Sequence, residues 1–437
     1  MRAWPITCSS VLGVCAPLFA RPVWPHVQVL LTGAVLAPGK RTVPAILQVR
    51  GRRAASDLPT SHRVLHRAVW APRTARRRRR LWVAGCIPRG GVVWGLDDTI
   101  ERRRGEAMTA QGSSRAPGRS SHSPWVNVRG LRWLACRGLR PLAGADRLWA
   151  LPVLTVWGLS ERFSAQRGRR PHPWPARAWQ LRQRVVRWLP GREGVAVADS
   201  RFAARALRDK VTPRPRARVR TRLRLDAALA TPPPPRPPRT QGRPRLTGQR
   251  RPPRAAVGAE ARPPWTTWLV EPWSGEGPRE GAIATDSAVW SHAGTPPGVS
   301  RWGLRRAPTQ SGKPQALLAP PVAQMPAQRV PGFVRRWTRA VTLEAARTPL
   351  GLETQRQWNE RARARTTPAL LGRYARVTLT AQLRSETGMT AVRSTAWYQQ
   401  TRPPFSDAMA LVRRLWWEHL PFSLSHQETA LIQMPRK

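Results

Sequence analysis

Two short apolar segments, each followed at once by aspartate, constrain the fold of this chain more than any other feature. Residues 92–96 (VVWGL) lead into Asp97 and Asp98, and residues 194–198 (GVAVA) lead into Asp199. Apolar runs of this length between turn residues are typical of buried strands. Open α/β sheets place functional groups beyond the carboxyl ends of their strands. The sequence therefore predicts an α/β fold with carboxylates gathered at one edge of its sheet.

These carboxylates suit a metal site for phosphodiester chemistry. Mg²⁺ prefers hard oxygen ligands, and a pair of such ions activates the attacking oxygen and stabilises the leaving oxygen. The alternative is that Asp98 and Asp199 cap the helices that follow them, because aspartate is a good N-cap residue. The spacing alone leaves both interpretations open.

The charge of the chain indicates a polyanionic partner, and nucleic acid comes first. The 437 residues carry 76 Lys+Arg against 23 Asp+Glu, which gives a net charge of +53. A surplus of this size attracts phosphate backbones through counterion release. The rich use of Arg, Pro, Ala, Gly and Trp also fits a GC-rich gene, so the motifs must decide the function.

Cysteine usage and hydropathy indicate the compartment. The four cysteines, Cys8, Cys15, Cys86 and Cys136, include no CxxC pair, which argues against a zinc site and suits a reducing cytosol. The longest apolar run, residues 27–37, is shorter than the roughly 20 residues of a membrane span. We therefore expect a soluble protein of the cytoplasm that does not enter a membrane.

The N-terminal residues 1–80 are predicted to form a small, basic, helical region. Residues 27–31 favour a helix that Pro38 and Gly39 end. Residues 61–70 place apolar side chains on one helical face with basic residues around them. Such a helix either lies on DNA or is an ordinary surface helix with arginine on its solvent side. The basic residues in question are His62, Arg63 and Arg67.

The remainder divides by composition. Residues 81–210 hold both Asp-bearing strands, residues 211–264 are rich in Pro and Arg, and residues 265–305 carry short runs typical of β structure. From residue 333 to about 393 the pattern is helical. The expected units are therefore 1–80, 81–210, 211–320 and 321–437.

One segment carries a family resemblance. GLDDTIERRRG at residues 95–105 resembles the first catalytic block of bacterial insertion-sequence transposases of the DDE superfamily endonuclease group. Further segments resemble the same family in the same order along the chain. They are residues 16–19, 36–42, 62–65, 130–133, 187–192, 314–318, 353–358, 364–372 and 405–408. The ordered series is more specific than any single block.

The resemblance implies a ribonuclease-H-like catalytic domain with a mostly β insertion and a small helical N-terminal DNA-binding region. It implies Asp98 as the first metal ligand, with Asp97 beside it as the alternative, and Asp199 as the second. The cofactor would be Mg²⁺ or Mn²⁺. The reaction would be cleavage of transposon ends followed by strand transfer, with terminal inverted repeats and target DNA as partners and, by analogy, a homodimer on DNA.

The third carboxylate of the family is missing at its expected position. Related transposases carry Tyr, Arg, Glu and Lys on one helix, and at that spacing this chain has Phe333, Arg336, Ala340 and Arg347. Arg336 and Arg347 keep cations for DNA phosphate, but Ala340 has no oxygen for a metal. Glu344 is the candidate substitute, displaced by about 6 Å along the helix. We expect an impaired transposase; the alternative is a catalytically dead, nonspecific DNA-binding remnant.

Overall fold

The structure is a computed structural model that describes much of the chain. The described residues are 13, 16–52, 56–69, 92–103, 105, 108, 110–115, 126–141, 148–192, 194–203, 217–236, 241, 242, 244–259, 265–270, 279–292, 295–306, 315–319, 338–385, 392, 395–397, 399, 400 and 403–418. Among these, no helix is both long enough and apolar enough to cross a membrane.

The N-terminal part forms three helices. They are α1 (Trp24–Leu36), α2 (Val43–Val49) and α3 (Asp57–His66). The predicted helix at 27–31 is confirmed and extends at both ends, stopping before Pro38 as expected. The Thr42 side chain accepts a hydrogen bond from the Ala45 amide and so caps α2. The predicted helix at 61–70 begins earlier and ends at His66.

A core built on a mixed sheet of six strands follows. Its elements are β1 (Val92–Glu101), β2 (Gly112–Arg115), β3 (Asn127–Pro141), β4 (Leu148–Gly158), helices α4 (Glu161–Gln166) and α5 (Trp174–Trp188), β5 (Gly194–Ala198) and β6 (Ala217–Leu223). Strands β4, β3 and β1 pair antiparallel, and β1, β5 and β6 pair parallel, in the order β4-β3-β1-β5-β6. Strand β2 pairs with the outer part of β3. This order confirms the predicted ribonuclease-H-like catalytic domain.

The insertion continues the same sheet. It comprises β7 (Leu229–Ala230), α6 (Arg254–Ala259), β8 (Thr266–Val270), β9 (Arg279–His292), β10 (Thr295–Arg306) and β11 (Gln315–Ala319), and β11 pairs antiparallel with β6. The β structure predicted for residues 265–305 is confirmed for the residues of this range that the structure describes. The Pro/Arg-rich segment before it contributes more to a core than its composition indicated, because Leu223 and Leu229 pack with Trp302.

Helices from the C-terminal part cover one face of the core. They are α7 (Thr338–Arg347), α8 (Glu360–Ser385) and α9 (Phe405–Trp417). The rings of Tyr374 in α8 and Phe405 in α9 stack with centroids 4.4 Å apart. The helical pattern predicted from residue 333 is confirmed within the described residues, with a break between α7 and α8.

Arginines join the N-terminal helices to α8 and α9. The last carbonyls of a helix have no partner within the helix, and arginine can satisfy them. Arg413 Nε donates to one such carbonyl, Val35 O in the last turn of α1, at 2.8 Å. Arg365 Nη2 donates to Ala68 O, just beyond the end of α3, at 2.8 Å, and Arg373 Nη2 donates to Leu30 O, within α1, at 3.2 Å. Arg373, within α8, therefore forms part of the joint.

Candidate active site

Strand β1 runs through both of its aspartates. The sequence predicted a strand that ends at Leu96, but the ladder with β3 continues as far as Glu101. That interpretation was wrong because the pairing partner, a 15-residue strand, is much longer than the apolar run of β1. Successive side chains of a strand point to opposite faces. Asp97 and Asp98 therefore lie on different faces of the sheet, and Asp98 is not a helix cap.

Asp98 is held on the face covered by α5. Its Oδ2 accepts a hydrogen bond from Arg132 Nε at 2.7 Å and a second bond from Arg132 Nη2. The Arg132 guanidinium lies 4.2 Å from the ring centroid of Trp174, the first residue of α5. A carboxylate engaged by two N–H groups of one arginine is strongly committed to that partner.

Asp97 lies on the opposite face, which α8 covers. Its Oδ2 is 3.9 Å from Nη1 of Arg137, which is fully buried on β3. Burial lowers the pKa of the Arg137 guanidinium, and the nearby Asp97 carboxylate opposes that shift. The Asp97 side chain stays partly exposed. Its charge therefore has a structural use beside Arg137 as well as access to solvent.

Asp199 directly follows β5. Its backbone is extended, and its Oδ1 accepts a hydrogen bond from the Ser200 amide at 2.7 Å, at the start of a short 3-10 helix (Ser200–Phe202). The cap interpretation is therefore correct in geometry for Asp199.

The strand register brings Asp97 and Asp199 together. In the parallel β1–β5 ladder Leu96 pairs with Ala198, so the next pair in the same register is Asp97 with Asp199. Paired residues share a face, and neighbouring strands lie about 4.8 Å apart. Two carboxylates so placed are a suitable hard-oxygen donor pair for one divalent ion. Among the described residues no group of three His, Cys, Asp or Glu is arranged to hold a metal.

Helix α7 carries the position of the missing carboxylate. Position 340 lies in its first turn, Glu344 is exposed further along it, and Phe333 and Arg336 lie outside the described residues. Thr342 Oγ1 donates to Ala150 O on β4 at 3.0 Å. Nearer its end, Arg347 Nη2 donates to Ile100 O on β1 at 3.1 Å. These two bonds fix the position of α7 along the sheet.

The predicted DNA-binding residues on α7 and around α3 differ in their exposure to solvent. Arg347 Nε also donates to Glu353 Oε1 at 3.2 Å, so its guanidinium is used within the protein. Arg63 and Arg67 are exposed on or just after α3. His62 is half-buried, and burial followed by the neighbouring His66 lowers its pKa.

Glu101, which was not predicted from the sequence, connects several elements of the core. Its side chain is fully buried and accepts hydrogen bonds from Arg103 Nε at 2.6 Å, Trp133 Nε1 at 2.7 Å and Thr367 Oγ1 at 2.7 Å. These bonds tie β1 to β3 and α8. The strand alternation gives a signal that was available, since Glu101 has the same parity as Asp97.

A family model described as DDE superfamily endonuclease matches residues 19–273. Among solved structures, the chain is similar to the piggyBac transposase in a synaptic complex with hairpin DNA, with 10% sequence identity and a TM-score of 0.37. That similarity covers 83% of this chain, which spans 62% of the length of the matched chain. A search of curated proteins found no match.

Proposed function

We propose that this chain, which belongs to the DDE superfamily endonuclease family, is an insertion-sequence transposase of bacterial type that binds transposon ends and is impaired in cutting them. Its partners would be terminal inverted repeats and target DNA, with two copies on the DNA. The same proposal locates it at the nucleoid, in the cytoplasm. The family membership and the net charge of +53 support DNA as the substrate.

The observation that carries the proposal is the β1–β5 register, whose last pair, Leu96 with Ala198, directly precedes Asp97 and Asp199. We propose these two aspartates as the metal-binding carboxylates, with Mg²⁺ or Mn²⁺ as the ion. Asp98, which the resemblance implied as first ligand, is the weaker candidate because Arg132 engages its Oδ2 from the other face. A bound divalent ion would supply activation of the attacking oxygen and stabilisation of the leaving oxygen.

The residues of this chain have separate roles in such a site. Asp97 and Asp199 bring negative charge to one edge of the sheet, and β1 and β5 hold them in fixed register. Arg137 offsets part of the charge of Asp97 and so limits the repulsion between the two carboxylates. Arg63 and Arg67, exposed on the N-terminal helical unit, are proposed phosphate contacts, together with Arg336.

The proposed impairment of cleavage rests on the position and contacts of α7. Ala340 stands where the resemblance expects glutamate, and a glutamate at 344 lies about one turn away. For Glu344 to take that place, the helix would have to slide and break the bonds of Thr342 to Ala150 and of Arg347 to Ile100. These tethers support a site with two carboxylates instead of three, and they support Arg347 as a residue that positions α7.

The test is a Mg²⁺-dependent cleavage assay on the ends of the element that encodes this chain. It compares the unmodified chain, Ala340→Glu, and Ala340→Glu combined with Asp97→Asn or with Asp98→Asn. We expect cleavage by Ala340→Glu alone and by its Asp98→Asn derivative, and loss of cleavage in its Asp97→Asn derivative. Asp98→Asn is the matched control, because it changes the neighbouring carboxylate on the opposite face.

Other outcomes correct specific parts. Cleavage by the unmodified chain would remove the impairment and make Glu344 the third carboxylate. Loss of cleavage in the Asp98→Asn derivative, with Asp97→Asn active, would reverse the assignment of the first ligand. If Ala340→Glu does not cut, the proposed restoration is wrong.

A second candidate function is nonspecific DNA binding without catalysis, which the charge excess favours. Its affinity would be almost entirely counterion release and would fall steeply with salt. Competition with scrambled DNA at fixed salt separates the two, because only a transposase discriminates between terminal repeats and scrambled sequence.

A further inference from the structure

Trp358 is a large aromatic side chain left in solvent. Its exposed fraction is 67%, and among the tryptophans whose side chains the structure describes only Trp397, at 87%, is also classed as exposed. An indole left in water does not gain the favourable free energy of burying its apolar surface. Tryptophan is enriched at interfaces, so an exposed tryptophan often lies at a binding surface. Both residues therefore need an explanation, and their surroundings differ.

The segment that carries Trp358, residues 353–359, is held at several points. Arg103 Nη1 donates to Gln357 O at 3.2 Å, directly before Trp358. Directly after it, Asn359 Oδ1 accepts from the Arg361 amide at 2.9 Å and caps α8. Trp358 thus stands between two anchored residues. A side chain presented by a fixed backbone loses little further freedom on binding, which favours affinity.

The other end of this segment is anchored to the end of β1, the strand that carries Asp97. Glu353 Oε1 accepts a hydrogen bond from the Arg102 amide at 3.0 Å, and Arg102 and Arg103 directly follow β1. Asp97 precedes Arg102 by five positions on that strand, a distance of about 17 Å at the rise of a β-strand. A DNA strand bound at Asp97 that follows β1 towards Arg102 would therefore approach the segment that carries Trp358.

The charge around Trp358 is positive. Arg102, Arg356 and Arg361 are exposed close to it along the chain. The two acidic residues of the vicinity are already paired, Glu353 with Arg347 at 3.2 Å and Glu360 with Arg167 at 3.0 Å. An exposed aromatic face among arginines is the combination that binds single-stranded nucleic acid, because bases stack and phosphates are attracted.

We propose that Trp358 stacks on an unpaired base of the DNA strand that leaves the candidate active site, with Arg356 and Arg361 on the flanking phosphates. This inference rests on the proposed function in taking DNA as the ligand. It adds a specific feature of that DNA, a nucleotide outside the double helix. A purely duplex ligand would hide its base faces and would give the indole nothing to stack on.

The experiment measures binding without divalent metal, so that cleavage plays no part. Two probes are used, a blunt duplex of the terminal repeat and the same duplex with a short unpaired overhang that carries 2-aminopurine. The variants are Trp358→Ala, Trp358→Phe and the matched control Trp397→Ala, which removes another exposed indole, after α8 instead of before it.

Trp358→Ala should weaken binding of the overhang probe by about 5- to 150-fold, the range for loss of one base–aromatic stack. It should leave binding of the blunt duplex unchanged, and Trp358→Phe should keep most of the affinity for the overhang. The unmodified chain should quench the 2-aminopurine, and Trp358→Ala should not. Arg356→Gln and Arg361→Gln should weaken binding of the overhang probe and lower the salt slope of that binding by about 1 each.

Two results would overturn the inference. One is equal binding of the overhang probe by the unmodified chain and Trp358→Ala. The other is an equal loss in Trp397→Ala, which would make the effect a general one of exposed indoles. If the unmodified chain binds neither probe, the proposed function itself fails, and that outcome is distinct from the first two.

Discussion

Glu101→Gln should destabilise the protein strongly although it changes neither the size nor the shape of the side chain. The carboxylate is fully buried and serves three donors, and its ion-pair partner Arg103 is itself buried. Glutamine offers one acceptor oxygen in place of two and turns an N–H group towards a donor. It also leaves the Arg103 charge without its counter-ion. Removing one partner of a buried ion pair costs about 3–5 kcal/mol, and no cavity contributes to that figure.

The assay is urea unfolding followed by circular dichroism. The midpoint should fall while the slope of the free energy of unfolding against urea stays constant, because the surface exposed on unfolding is unchanged. Asp226→Asn is the control, since Asp226 forms an ion pair with Arg224 in which both side chains are exposed. It should leave the midpoint unchanged, because exposed pairs contribute little.

A double variant tests the stated cause. Glu101→Gln combined with Arg103→Met removes the uncompensated charge and should recover a large part of the lost stability. A loss of less than about 1 kcal/mol in Glu101→Gln, the range of a surface pair, would refute the reasoning. So would a double variant whose loss equals the sum of the two single losses.

Two further predictions concern buried positions. Arg373→Met should stabilise the protein by about 1–4 kcal/mol at neutral pH, because it removes a buried charge that lies near those of Arg376 and Arg41. Burial lowers the pKa of Arg373 to about 9, so above that pH the native state loses this proton while the unfolded state still holds it. The stability of the unmodified protein should therefore rise with pH above about 9. Urea titrations of Arg373→Met should lack this rise. Gly130→Ala should cost about 1–3 kcal/mol by overpacking, since its Cβ would lie 2.4 Å from Glu101 O. The control Gly372→Ala, in α8 with nothing within 4 Å of the added Cβ, should instead gain about 0.5–1 kcal/mol in thermal or urea unfolding.

The sequence predicted the parts of the fold that local pattern determines. The apolar runs gave β1 and β5 as strands, and helical periodicity gave α1 and much of α8. It did not predict that β1 extends to Glu101, because the length of a strand depends on its partner, and β3 is distant in sequence. The boundaries at residues 80, 210 and 320 stay predictions.

The candidate site shows the same division between local and tertiary information. Three aspartates could be selected from their positions after apolar runs. Which of Asp97 and Asp98 accompanies Asp199 depends on the β1–β5 register, and a one-residue shift exchanges the two faces. Register follows from packing, which a single sequence does not display. The contacts of Arg132 and Arg137 were likewise invisible, because arginine in this chain is common enough to obscure individual partners.

The arginine joint between the N-terminal helices and α8 and α9 has a consequence for synthesis. Helix α1 leaves the ribosome early, yet the bond from Arg413 to Val35 O spans 378 residues and that from Arg365 to Ala68 O spans 297. Val35 O and Ala68 O therefore have no arginine partner while the catalytic domain and its insertion are translated. Contacts of such long sequence separation form slowly. Over that interval the apolar side chains that α1 buries in the finished fold stay exposed, and exposed apolar surface favours aggregation.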